Sequence, residues 1–199
     1  YVHLNDAVDI PIPGTPESRF LPTADAVKGR IKDIRVLILN SPLNPTGTCF
    51  TRDELSAICE VIVEENKIRS TNGNKPVMLV YDQVYSTMTA PDIEHVHPVQ
   101  VCPEIYEYTI TLDAISKSLT GTGLRLGWMA LPPSLAPPVI ALIGHMGAWP
   151  ARPIQKAAAK LYADTEALES YFDSLDSRIE ERMSLLQMRL GKLSQFGVR

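Results

Sequence analysis

The feature that most limits the fold is a set of four apolar, β-prone runs, near residues 35–40, 77–82, 108–113 and 124–131, joined by connections of unequal length. Arg35 to Leu39 is a continuous apolar run of the kind shown by a parallel strand covered on both faces. The intervals between the first three runs are long enough for a crossover helix, as parallel pairing requires, whereas the segment 113–123 is too short for one. The pattern predicts an α/β fold: a mixed, mostly parallel sheet with flanking helices and an antiparallel fourth strand.

The helices are signalled by their caps and periodicity. Thr51 with Glu54 three residues on forms a capping box opening a helix of Leu55, Ile58, Cys59 and Ile62. Thr23 caps a helix over 24–32, with Ala24, Val27 and Ile31 on one face. Before it, Val8 to Pro13 alternates as a short strand would, closed by the turn GTPES at 14–18. Pro132, Pro133, Pro137 and Pro138 read as a linker ahead of an apolar helix around Val139 to His145. Ile154 to Leu168 is helical in pattern, and Leu175, Ile179, Met183, Leu186, Leu190 and Leu193 mark one stripe of a long amphipathic helix, a packing surface. Residues 1–170 read as one domain portion, and 171–199 as a helix leading toward a small C-terminal domain outside the sequence.

Composition excludes several classes of partner. Hydrophobic and charged shares of 45% and 21% are ordinary for a globular chain, and a net charge of −4 supplies no footprint for nucleic acid or an anionic membrane. No run approaches the roughly 20 apolar residues of a membrane span, and the start YVHLND lacks a basic segment followed by an apolar one. A cytoplasmic chain is expected. Cys49, Cys59 and Cys102 fit no metal-ligand spacing and read as buried free thiols; His95 and His97, with no third ligand near, read as solvated loop residues rather than a metal pair.

The chemistry-bearing residues fall at one edge. In parallel sheets ligands bind at the carboxyl ends of the strands. Asn44 follows the first strand, Asp82 ends the second with Tyr85 three residues on, and Ser116 and Lys117 follow the third, with Arg125 beyond the turn Gly121-Thr122-Gly123. Neighbouring strands about 4.8 Å apart would spread Asn44, Asp82 and Lys117 over about 10 Å, the width of a small substituted aromatic ring. Each segment has a plainer reading: a strand-to-helix loop at Asn44, a carboxylate capping local amides at Asp82, a solvated turn at Lys117. Together, an amide, a carboxylate, a phenol, a lysine and an arginine form an unusual set for a purely structural edge.

The segments LNSPLNPTG (39–47), YDQVY (81–85) and SKSLTGTGLRLGW (116–128) resemble the three signature segments of the class I/II aminotransferases, fold type I pyridoxal-phosphate enzymes. The resemblance implies that Lys117 joins pyridoxal 5'-phosphate as an aldimine, that Asp82 pairs with the pyridine nitrogen, that Asn44 and Tyr85 hydrogen-bond the phenolic oxygen, and that Ser116 and Arg125 take the phosphate. It implies amino-group transfer between amino acids and 2-oxo acids, a homodimer in the complete protein with the turn 144–152 near the neighbouring subunit's pocket, and a cis Asn44-Pro45 peptide.

Those residue types suit the chemistry. A carboxylate keeps the ring nitrogen protonated so the ring accepts electrons; a released lysine is a general base and acid; a guanidinium offers phosphate a planar fork. One departure is Ala114, where the family commonly has a hydroxyl residue. The resemblance covers nearly all of the chain but only the middle of the family's usual length, so the chain reads as a fragment, inactive alone. A lyase or synthase of the same fold, and a non-catalytic ligand-sensing domain of a regulator, remain as alternatives.

Overall fold

The four apolar runs form one sheet. In the structure, a computed structural model that describes residues 2–193, β1 (Val36–Asn40), β2 (Met78–Asp82), β3 (Thr109–Ala114) and β4 (Gly127–Ala130) lie side by side in that order. The pairings β1–β2 and β2–β3 are parallel and β3–β4 is antiparallel, as the connection lengths require. Asn40 stands opposite Asp82, and Asp82 opposite Leu112, so β1 and β2 end level with one another and β3 runs two residues further, to Ala114.

The helices are α1 (Ala24–Lys28), α2 (Arg52–Thr71), α3 (Pro98–Val101), α4 (Ile115–Ser118), α5 (Ala136–Met146), α6 (Arg152–Ala163) and α7 (Thr165–Gly191). The sheet and α1 to α5 belong to a compact unit running to Trp149; α6 and α7 belong to a second, starting at Pro150. No helix among the described residues is long and apolar enough to cross a membrane.

The core lies on the face of the sheet that α2 covers. Thr51 Oγ1 accepts from the Glu54 amide while Glu54 Oε2 accepts from the Thr51 amide, the reciprocal cap anticipated above. Leu55, Ile58, Cys59 and Ile62 are buried together with Leu37 and Leu39 of β1 and Leu79 and Tyr81 of β2. Polar groups lock the far end of α2. Asn66 donates to the Val77 carbonyl and accepts from the Val77 amide, and buried Arg69 pairs with Glu65 and donates to the carbonyls of Ile31 and Lys32. Because strand side chains alternate, Val36 and Ile38 point the other way and are 50% and 65% exposed, so within these residues β1 is covered on one face rather than both.

The other departures from the sequence reading have local causes. Residues 8–13 form no strand; Pro11 and Pro13 lack the amides a ladder needs, although Ile10 and Ile12 still pack against the core. Helix α1 stops at Lys28, because Gly29 is a poor helix former and the carbonyls of Ile31 and Lys32 are engaged by Arg69. Pro137 and Pro138 lie inside the first turn of α5, where a missing amide removes no helical hydrogen bond, rather than in a linker. The helical pattern 154–168 is broken at Asp164, whose side chain accepts from the Ala167 amide and starts α7. β4 begins at Gly127 because Arg125, at φ 55°, turns the chain through the left-handed region first.

Candidate active site

The last residue of β1 sets the first corner of the site. Asn40 Nδ2 donates to the Asp82 carbonyl at 2.9 Å, and its Oδ1 accepts from the Asn44 amide at 3.2 Å. The Ser41 amide adds a second bond to the Asp82 carbonyl, 3.0 Å long. The loop after β1 is thereby tied to the end of β2 through backbone groups, and the Ser41-Pro42 and Asn44-Pro45 peptides within it are both cis. Asn44 Nδ2 then donates to the Tyr85 hydroxyl oxygen at 3.1 Å. Since that oxygen accepts, the phenolic proton is available to another acceptor.

Lys117 reaches the same tyrosine from β3. Its Nζ lies 5.3 Å from the centroid of the Tyr85 ring, within the range of cation–π attraction. The single turn of α4 carries it there: Ile115 and Ser118 are buried, leaving Ser116 and Lys117 partly exposed. The segment that follows folds back closely. The Gly121 amide donates to the Ile115 carbonyl at 3.1 Å, and a Cβ on Gly121 would stand only 3.1 Å from that oxygen and 3.2 Å from Ile115 Cδ1, so a side chain there would crowd the turn. Thr122 Oγ1 donates to the Ser116 carbonyl, and Arg125 Nη1 donates to the Thr122 carbonyl, each at 2.9 Å. Ser116 and Arg125 are thus linked through Thr122 rather than to each other.

Asp82 stands at the end of β2, between these two corners. Its Oδ1 accepts from the Val84 amide at 3.0 Å, so the local capping foreseen for it is present, and it engages one of two carboxylate oxygens. Among the described residues no ion pair involves Asp82, Lys117 or Arg125. One edge therefore presents a carboxylate, an ammonium and a guanidinium with no opposite charge paired to any of them. Asn44 and Tyr85 also form the polar end of a cavity of about 360 Å³ lined further by Leu43, Met88, Ala90 and Ile93.

Behind Asp82 lies a set of groups that the sequence reading did not pick out. Gln83 Nε2 donates to Asp113 Oδ2 at 3.1 Å, and Gln83 Oε1 lies 3.3 Å from His95 Nε2. The Ala114 amide donates to Asp113 Oδ1 at 2.7 Å. Burial pushes the Asp113 carboxyl up, the neighbouring Asp82 charge adds to the rise, and the Gln83 and Ala114 hydrogen bonds oppose it. His95 and His97 are partly buried rather than solvated: burial holds both imidazoles below the ordinary histidine range, and His95 depresses His97 further. His97 Nδ1 accepts from the Val99 amide at the start of α3, and its Nε2 meets Thr111 Oγ1 at 2.8 Å. Cys59 and Cys102 are buried free thiols, whereas Cys49 is only partly buried.

Comparison with known proteins shows the family and the fold. A family model described as aminotransferase class I and II matches residues 1–199. An aspartate aminotransferase of Bacillus sp. (strain YM-2) is 30% identical over 181 residues, 90% of this chain and 44% of that protein. The structure of an aspartate aminotransferase from Thermus thermophilus with maleate superposes with a TM-score of 0.85 at 25% identity, covering 100% of this chain and 48% of that one. An N-succinyldiaminopimelate aminotransferase from Mycobacterium tuberculosis gives 0.82 at 28% identity, covering 96% and 47%. The chain spans about half the length of the relatives it matches.

Proposed function

The chain belongs to the class I and II aminotransferases, and from that premise we propose that its sheet edge is the cofactor-holding part of a pyridoxal-phosphate-dependent enzyme moving amino groups between amino acids and 2-oxo acids. The observation that carries this reading is the unpaired charge along one sheet edge: Asp82 at the carboxyl end of β2, Lys117 just past that of β3 and Arg125 just ahead of β4, with the Asn44–Tyr85 pair beside Lys117. The donor set matches pyridoxal phosphate group by group: an acid for a ring nitrogen, a phenol and an amide for a phenolic oxygen, an amine for the aldehyde, a guanidinium for the phosphate.

When bound, the cofactor supplies an electron sink conjugated to the substrate's amino group. The residues of the chain do the rest. Asp82, with one carboxylate oxygen engaged by the Val84 amide, would hold a proton at the ring nitrogen. Tyr85, its hydroxyl oxygen already accepting from Asn44, donates its proton to the phenolic oxygen. Lys117 moves a proton at the substrate Cα, acting as base and then acid. Arg125 and the Ser116 hydroxyl bind the phosphate, Arg125 as a planar fork.

A homodimer with the turn 144–152 near the partner's pocket belongs to the same reading, as does a cytoplasmic location, which suits three free thiols. The 199 residues, about half the length of the matched relatives, are expected to bind the cofactor weakly and to exchange amino groups no faster than free pyridoxal phosphate. The experiment is a spectroscopic titration of the chain with pyridoxal phosphate. The reading expects a saturable absorbance change that Lys117→Ala abolishes and that needs roughly tenfold to hundredfold more cofactor in Arg125→Ala, the value of one charge-assisted hydrogen bond. The same change in Lys117→Ala as in the wild type would refute it.

A further inference from the structure

The hydrogen bonds behind Asp82 carry an inference of their own. Asp82 Oδ1 reaches over Gln83 to the Val84 amide, so the aim of the carboxylate depends on how the backbone of Gln83 is held. Gln83 is held three times. Its amide donates to the Leu112 carbonyl at 3.0 Å, its side-chain Nε2 donates to Asp113, and its Oε1 faces His95 Nε2. These contacts stitch the end of β2 to the end of β3 and to the loop before α3.

We propose that Gln83 is a positioning residue for Asp82, its side-chain amide clamped between Asp113 and His95 so that the turn from Asp82 to Val84 keeps one conformation. The chemistry of the clamp is directional. Asp113, accepting from Gln83 and from the Ala114 amide, occupies the amide's donor end. The carbonyl end then requires a proton on His95 Nε2, which makes Nδ1 the acceptor nitrogen of the neutral ring; that atom is buried with no hydrogen-bond partner among the described residues. The other groups facing the clamp are consistent with a neutral imidazole. The Tyr81 ring lies 6.2 Å from His95, the adjacent Glu94 is paired with Arg52, His97 on the same loop interacts with His95, and Asp82 is the charge that faces Asp113. Burial, which holds the His95 imidazole below its ordinary range, acts in the same direction.

The proposal rests on the reading of Asp82 as the functional carboxylate, but its test needs no cofactor and so stands or falls separately. In the wild-type chain, imidazole nitrogen shifts measured by NMR against pH should show His95 neutral at pH 7 with its proton on Nε2; a proton on Nδ1 would overturn the assignment. In Gln83→Glu a carboxylate replaces the amide carbonyl, and the His95 midpoint should rise by at least tenfold in proton affinity. The double variant Gln83→Glu with Asp113→Asn restores a donor opposite the new carboxylate, and should keep the raised midpoint while regaining wild-type thermal stability. An unchanged midpoint in both would sink the clamp. The link to Asp82 is read by hydrogen exchange: Gln83→Met should lower protection of the Val84 amide about tenfold while the amides of Leu79 and Val80 in β2 keep theirs. Equal protection at Val84 would show that Gln83 does not position Asp82.

Discussion

The two ends of β2 behave as opposite kinds of structure. At its start the buried polar groups pair with one another: Asn66 bonds both the amide and the carbonyl of Val77, and Arg69, Glu65 and the carbonyls of Ile31 and Lys32 close a second buried set nearby. At its finish, Asp82 keeps one oxygen outside any hydrogen bond among the described residues, and Lys117 past β3 and Arg125 ahead of β4 make no ion pair among them. Arg125 lies in open solvent, but Asp82 and Lys117 are half-buried, and a chain folded only for stability would pair such charges. The contrast separates the part of the sheet that holds the fold from the part proposed above to meet a ligand.

The contrast can be broken most severely at the closed end. Arg69→Ala leaves the Glu65 carboxylate buried without its partner and should cost about 3–5 kcal/mol, measured as a drop in the urea midpoint. Ile58→Ala empties a fully buried position between α2 and the sheet, and about 2–5 kcal/mol should be lost in the same assay. Thr51→Ala removes one half of the reciprocal cap of α2, for about 1 kcal/mol. At the open end Lys117→Ala should change stability by no more than about 1 kcal/mol, because among the described residues its ammonium makes no ion pair and only the cation–π contact with Tyr85 is lost. A loss at Lys117 as large as that at Ile58 would mean that the edge is structural after all.

Acid should sharpen the same comparison. His95 and His97 are held neutral by burial, so their folded pKa values lie below the unfolded one. Their contribution is fully present above the unfolded value, about 6.5, and is lost as pH falls from there through the depressed folded values. Asp113 has the opposite sign: its folded value is raised, so it favours the native state as pH falls through that value toward the ordinary carboxylate range. Thermal unfolding followed from pH 7 to pH 5 should therefore show a falling midpoint, and His97→Gln should flatten the slope.

How far the sequence foretold this arrangement depends on the range of the interaction. The four strands, the antiparallel return of β4 and the reciprocal cap at Thr51 and Glu54 follow from connection length and local chemistry, and they appear in the structure as read. The likeness of three short segments to a known family identified the edge where Asn44, Tyr85 and Lys117 meet. What escaped were contacts between side chains far apart in the chain. Asn40 looked like the last residue of an apolar run, yet it ties the Asn44 loop to Asp82. Gln83, Asp113 and His95 have no spacing that marks them as a set, because they meet only once β2, β3 and the following loop are assembled. Local competition misled the reading elsewhere: alternation at 8–13 suggested a strand that its two prolines prevent, and the helical period through 154–168 hid the cap at Asp164.

The central claim, that this edge brings one particular lysine to a carbonyl-bearing cofactor, is tested most directly by chemical trapping. The chain would be incubated with pyridoxal phosphate, treated with borohydride to make any lysine–cofactor bond permanent, and digested for mass spectrometry. The account predicts that the label concentrates on Lys117 over exposed lysines such as Lys28, Lys67 and Lys156, and that Asp82→Ala or Arg125→Ala disperses it. Equal labelling of all the lysines in the wild-type chain, unchanged by those substitutions, would contradict it.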